Sequence, residues 1–191
     1  MKFFDKFSRF SFAAIVVIII SGIVEIVALA TPYWTLSSTQ SLGNIGHSGL
    51  WLNCRRTQAT VVTTVSCSSY ADAIAGWMVA VRALNVIGMI FGSVALVFMG
   101  LFTFLYSEKW NKIIRSSALI SALLAGSLII IGAVLYGVSV SQGKAPVPYQ
   151  VVSAKYIHSL SWSFALSLVA AILFVISGVM MGFSRKPRIN S

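Results

Sequence analysis

Charge is what this 191-residue chain has least of. Charged residues make up 9% of it, and its acids number four: Asp5, Glu25, Asp72 and Glu108. A soluble domain carries about a quarter charged residues, and so short a chain cannot hide a 58% apolar composition in a soluble core. Histidine and cysteine are also scarce. His47 and His158, with Cys54 and Cys67, show no metal-ligand spacing, so no metal is expected. No glycine loop precedes a helix in a nucleotide-binding context, and no nucleophile-and-base motif accompanies the serines, His47 or Asp72. The expectation is a protein without cofactor and without enzymatic activity. Asn-x-Ser/Thr is absent, so N-glycosylation is not expected either. The simple reading is one lipid-embedded domain spanning residues 1–191.

What charge there is carries one sign. The net charge is +10, but its distribution argues against nucleic acid. Lys2, Lys6 and Arg9 precede the first apolar run, Lys109, Lys112 and Arg115 lie between the second and third, and Arg185, Lys186 and Arg188 follow the last. Arg55, Arg56, Lys144 and Lys155 fall on the other side, with Arg82 at the head of the second run. This positive-inside pattern makes both termini cytoplasmic, and the same clusters can attract anionic lipid heads. Phe3, Phe7 and Phe10 beside the first basic residues read as a flanking membrane anchor.

Crossing a bilayer takes roughly 20 apolar residues. Four runs suffice, at about 12–30, 78–106, 117–140 and 157–183. They leave cytoplasmic segments at 1–11, 107–116 and 184–191 and extracellular segments at about 33–77 and 141–156. The first run has a basic start, and Ala28-Leu29-Ala30 resembles a signal-peptide cleavage site. Its length and the presence of Glu25 favour an uncleaved helix. Gly88-x-x-x-Gly92, Gly178-x-x-x-Gly182 and the Ala122/Gly126 pair are small-residue stripes, which bring helix backbones together where lipid offers no hydrophobic drive for association. Intramolecular packing is their expected use. Glu25, the acid inside a span, is expected to face the bundle, and Arg82 is the one ionisable candidate partner.

The first outward segment holds both cysteines, which in an oxidising compartment should bridge. Closing a loop of this size contributes about 3 kcal/mol in the chain-entropy model. Thr60–Val65 is a β-branched, strand-type run, and Leu50-Trp51-Leu52 also reads as a strand. Gly43, Gly46 and Gly49 read as turns. Trp34 admits two readings, interfacial belt residue or part of an ordered module. Trp51, deep in the polar segment, reads as sheet core or lipid contact. Arg55 and Arg56, opposed by Asp72, are candidate charge-selecting residues or simply solvated loop charges. In the second outward segment Pro146 and Pro148 restrict the chain, and Tyr149 and Tyr156 offer aromatic contacts.

Trp34, Gly49-Leu50-Trp51, Cys54 and Cys67, in that order after the first helix, resemble the signature of the claudin superfamily, which joins claudins to the peripheral myelin and epithelial membrane proteins. Val79-Ala80-Val81-Arg82-Ala83-Leu84 is similar to the claudin entry to the second helix, with Arg82 in the arginine's place, and Ser161-Trp162-Ser163-Phe164 is similar to the entry to the fourth. The resemblance implies a left-handed four-transmembrane-helix bundle with a small disulfide-pinned antiparallel sheet. It also implies an adhesive junction protein of the plasma membrane, sealing or gating the space between cells by association with copies of itself or related chains in cis and in trans. The alternative is a membrane-organising or auxiliary channel subunit of the myelin or calcium-channel type. Two departures stand out. The cysteine interval is longer than in most claudins, and Ile189-Asn190-Ser191 offers no terminal aliphatic group to a scaffold PDZ domain, so such a partner is not expected.

Overall fold

The computed structural model describes residues 9–39, 43–58, 63–70, 74–104, 110–144 and 157–184. Four helices, α1 (Arg9–Ala30), α2 (Gly76–Phe104), α3 (Asn111–Ser141) and α4 (Trp162–Phe183), are each long and apolar enough to cross a membrane. Five strands accompany them: β1 (Thr35–Thr39), β2 (Gly43–Ser48), β3 (Leu52–Gln58), β4 (Thr63–Ser69) and β5 (Ile157–Leu160).

Burial along the helices follows a seven-residue repeat. The α1 seam runs through Ser11, Ala14, Ile18, Ser21, Glu25 and Ala28, and the α2 seam through Met78, Val81, Asn85, Gly88, Gly92, Ala95 and Met99. Alternating steps of three and four keep one stripe on the neighbouring helices when these supercoil left-handedly. The stripe is rich in small and polar residues, with Ile18, Met78, Val81 and Met99 interspersed. The large aliphatics, such as Ile19, Ile23 and Ile26 on α1 and Ile87, Ile90 and Val97 on α2, are exposed, as lipid contact requires.

The helices enter two compact units, and each helix gives a segment to both. In the unit of residues 1–24, Val86–Ile129 and Val169–Ser191, the small residues serve contacts between helices. A Cβ on Gly126 would lie 2.8 Å from the Ala171 carbonyl, and one on Gly178 would lie 2.9 Å from the Ala122 Cβ. Gly88 and Gly92 likewise admit Ile129 and Phe174. Hydroxyls add cross-helix hydrogen bonds: Ser21 Oγ donates to the Ala170 carbonyl (2.6 Å), and Ser177 Oγ donates to the Ala14 carbonyl (2.8 Å). Transmembrane hydrogen bonds of this kind contribute about 0.6 kcal/mol each on average.

The other unit, Glu25–Asn85 with Ile130–Leu168, carries the sheet. All strand pairs are antiparallel, in the order β4-β3-β2-β1-β5. Three expectations need correction here. Residues 157–160 form β5 rather than the start of the fourth helix, because their backbone pairs with β1 (Thr35 opposite Leu160, Ser37 opposite His158), and α4 begins at Trp162. Gly43 and Gly46 lie within β2 rather than in turns. Leu50 and Trp51 lie in the turn between β2 and β3 rather than in a strand. Residues 60–62, Pro146, Pro148, Tyr149 and Tyr156 lie outside the described residues.

Candidate functional site: a clamped turn and an edge-exposed sheet

Trp34 leaves α1 four residues after its end and turns back on it. Its indole Nε1 donates to the Ala28 carbonyl at 2.7 Å, satisfying one of the acceptors that a helix C-terminus leaves without a partner. The ring is fully buried and meets Tyr136 and Phe164 edge-on, with centroids 5.0 and 6.0 Å away. Leu50, Met78, Val81 and Val140 complete this core, so Trp34 is its centre and not a belt residue. The entry to α4 holds the same stretch, since Ser163 N donates to the Tyr33 carbonyl at 3.1 Å and the Ser163 and Thr31 hydroxyls lie 2.8 Å apart.

Gly49-Leu50-Trp51 is the turn clamped onto this core. A Cβ on Gly49 would lie 2.6 Å from Pro32 Cα and 2.8 Å from the Thr31 carbonyl oxygen, both backbone atoms, so only glycine fits. Its carbonyl accepts from Tyr70 Oη at 2.8 Å, and Leu50 is fully buried. Arg82 closes the clamp: Nε donates to the Leu50 carbonyl at 2.7 Å, and the guanidinium carbon lies 5.0 Å from the Trp51 ring centroid and 5.1 Å from that of Tyr70. Trp51 is thus 42% exposed and rests on a cation instead of filling the sheet. Sequence reasoning found Trp34, Gly49, Leu50, Trp51 and Arg82 but missed Tyr70, Tyr136 and the Thr35–Ser48 hydroxyl pair (2.6 Å). The signal for Tyr70 was a lone aromatic just past Cys67.

Cys54 and Cys67 are directly opposite in the β3–β4 register and form a disulfide. His47, opposite Cys54 on β2, brings a ring nitrogen within 4.8 Å of both sulfurs. Bonded to each other, the sulfurs are not the thiolates that a soft metal binds. The His47 ring stacks on Tyr33 with centroids 4.2 Å apart. Burial, and then the nearby Arg56 charge, hold its pKa below the ordinary 6.5. Burial does the same to His158, whose Nδ1 lies 3.0 Å from Ser37 Oγ.

Arg55 and Arg56 are both exposed, but successive strand residues point to opposite faces. Arg55 shares its face and cross-sheet row with His158, Ser37, Gly46 and Ser66. Arg56 shares the other face with the disulfide and His47. They do not form one patch. Asp72 lies outside the described residues. At the free end of the sheet, β4 is exposed at every residue, and no described strand pairs with its outer edge.

Glu25 is fully buried in α1 and accepts from Ser167 Oγ on α4 at 3.2 Å, while its Oε2 has no partner among the described residues. Arg82, the partner considered from sequence, is instead engaged by Leu50, Trp51 and Tyr70.

The structure therefore brings Trp34, Gly49, Leu50, Trp51 and Arg82 of the ordered sequence motif into one clamp. A comparison with curated proteins finds no match to the chain. A sequence model of the PMP-22/EMP/MP20/Claudin family matches residues 9–181, the span that holds every one of these contacts, and the chain belongs to that family of multi-pass membrane proteins.

Proposed function

We propose that this protein is a structural, adhesive tetraspan of cell–cell contacts in the plasma membrane, with both termini cytoplasmic and the sheet outside. Its task is to associate with copies of itself or with related chains and so restrict passage between cells. It acts through surface and not through catalysis. The observation that carries the reading is β4, a fully exposed, uncharged edge strand. An open edge of backbone donors and acceptors is a template for pairing with another chain, and soluble proteins usually blunt it with charge, proline or cover. Here it is instead covalently tied to its neighbour strand. Expression in cells without junctions tests this. The protein should gather where two expressing cells meet and not where one meets a non-expressing cell. Diffuse surface or vesicular staining would support the membrane-organising or auxiliary-subunit reading instead.

Within this reading Arg55 is the charge-selecting residue, because it stands among hydroxyls and His158 on one polar row. Rings of fixed cationic side chains favour anions in a pore. Arg55→Glu should lower the chloride-to-sodium permeability ratio of a monolayer, and Arg56→Glu should leave it unchanged. Equal effects of the two would refute the assignment.

A further inference from the structure

We infer that His47, Cys54 and Cys67 form a binding site for a thiophilic divalent cation of the zinc type while the two cysteines are reduced. The three residues lie in one row across the sheet: His47 on β2 is opposite Cys54 on β3, and Cys54 is opposite Cys67 on β4. Residues directly opposite in a ladder point to the same face, with Cβ atoms about 4.5–5.5 Å apart. A ring nitrogen of His47 and the two sulfurs accordingly lie within 4.8 Å of one another. In a tetrahedral zinc centre, with Zn–S about 2.3 Å and Zn–N about 2.0–2.1 Å, the ligand atoms stand about 3.5–3.8 Å apart. Parting the sulfurs to van der Waals distance and drawing the ring slightly inward gives that spacing. The dithiol is the form in which the chain is synthesised, so it precedes the bridge and needs no reductant to arise.

The donor set selects the ion. Two sulfurs and an imidazole suit zinc, whereas calcium and magnesium take oxygen. Each thiol forms a metal–sulfur bond and releases its proton, so one ion displaces two protons, and His47 binds as neutral imidazole. Two thiolates cancel the charge of a divalent ion, so Arg56 on the same face meets a neutral centre. The His47 ring is held beforehand. It lies parallel to the Tyr33 ring at 4.2 Å, and Tyr33 stacks in turn on Trp162 at 5.4 Å. Stacking covers the face of the imidazole, and the nitrogen lone pair lies in the ring plane, so the donor stays available. Cys54 is buried and Cys67 exposed, which leaves the fourth position of the tetrahedron to water. Bridge and ion exclude each other, and they fasten different things. The bridge joins β3 to β4, whereas the ion ties β2, β3 and β4 together in a chain whose bridge has not yet formed.

The test uses the full chain purified in detergent. A water-soluble phosphine opens the bridge, giving two thiols and the phosphine oxide with its oxygen drawn from water, and is then removed without air. Cobalt(II) serves as the optical probe for zinc. Reduced wild type should show thiolate-to-cobalt charge-transfer bands and the intense visible bands of a tetrahedral site, and excess zinc should erase both. The bridged chain should show neither. Cys54→Ser/Cys67→Ser should abolish binding, and His47→Asn should weaken it by about a hundredfold or more. His158→Asn, on the opposite face of the sheet, should leave it unchanged. A second measure needs no variant: zinc should raise the unfolding midpoint of the reduced wild type and not that of the bridged chain. Absence of the bands in the reduced wild type overturns the inference. So does equal cobalt binding by the bridged chain, or unchanged affinity in His47→Asn. Equal losses in His47→Asn and His158→Asn also overturn it, since they point to a disturbed sheet and not to a lost ligand. Every reading is taken on the isolated chain, so this result can fail while the proposed junction role holds, and the reverse.

Discussion

Removing the Arg82 guanidinium should loosen the clamped turn, and the structure sets how much. A charge-assisted hydrogen bond such as Nε to the Leu50 carbonyl contributes about 1.5–3 kcal/mol. The two cation–π contacts, to Trp51 and Tyr70, add about 0.5–1 kcal/mol each at this partial exposure. Against these stands the buried Nη2, which has no partner among the described residues and whose desolvation costs about 1 kcal/mol or more. The net loss expected for Arg82→Ala is about 1.5–4 kcal/mol, or a fall in unfolding temperature of about 3–16 °C for a chain of this size. The assay is thermal unfolding in detergent, followed by near-ultraviolet circular dichroism, which reports Trp51 and Tyr70 directly. Arg82→Lys is the decisive companion. It keeps the charge but not the planar fork that bonds the carbonyl while lying over two rings, so it should recover less than half of the loss. If Arg82→Lys unfolds with the wild type, the site needs only a positive charge, and the clamp as described is wrong.

Gly49→Ala must displace the backbone at Thr31 and Pro32, and it should cost upwards of about 2 kcal/mol or abolish folded expression, whereas Gly22→Ala, with nothing within 4 Å of the new methyl, should be neutral or stabilise by up to about 1 kcal/mol. Unfolding of the two variants side by side checks both. Replacing Cys54 and Cys67 together by serine should cost about 3 kcal/mol, read as a lower midpoint that reductant no longer shifts. His47 and His158 have native pKa values depressed below 6.5, so in that range the unfolded chain binds more protons than the folded one. Their stabilisation is full above pH 6.5 and is lost as the pH falls through the depressed native values. The unfolding temperature should therefore drop on acidification below pH 6.5, and His47→Asn should shrink that drop; an identical pH profile would show that His47 does not contribute.

How much of this was legible depended on which physical signal each element leaves in one dimension. The spans were plain because length and hydropathy alone define them. Their inward faces were read only in part. With apolar residues on both sides, the usual amphipathic contrast vanishes, and the seam is marked by size and hydroxyls: Ser21, Glu25 and Ala28 inside, Ile23 and Ile26 outside. Glu25 and the glycine stripes gave that face away. The clamp was named residue by residue from its motif, but its assembly was not foreseen, since Tyr70 and Tyr136 come from separate segments and meet Gly49 and Trp34 only in the fold. β5 was misread because Ile157-His158-Ser159-Leu160 abuts an apolar run, and only pairing with β1 distinguishes it from a helix start. The two arginines are adjacent in sequence, and the two-residue period of a strand puts them on opposite faces.

The position of the disulfide has a mechanical consequence. A load drawn through β4 from its Thr63 end pulls the strand off β3 pair by pair, because hydrogen bonds in a ladder loaded this way fail singly and at low force. The register counts the pairs available: Gln58–Thr63, Thr57–Thr64, Arg56–Val65 and Arg55–Ser66 open first, and the next is Cys54–Cys67, which is covalent. Peeling must stop there, and the load passes through β3 to the turn that Arg82 holds. The bridge is then a ratchet stop for that strand. Single-molecule pulling on β4 with and without reductant reads this directly, and equal extension in the two conditions would show that the stop bears no load.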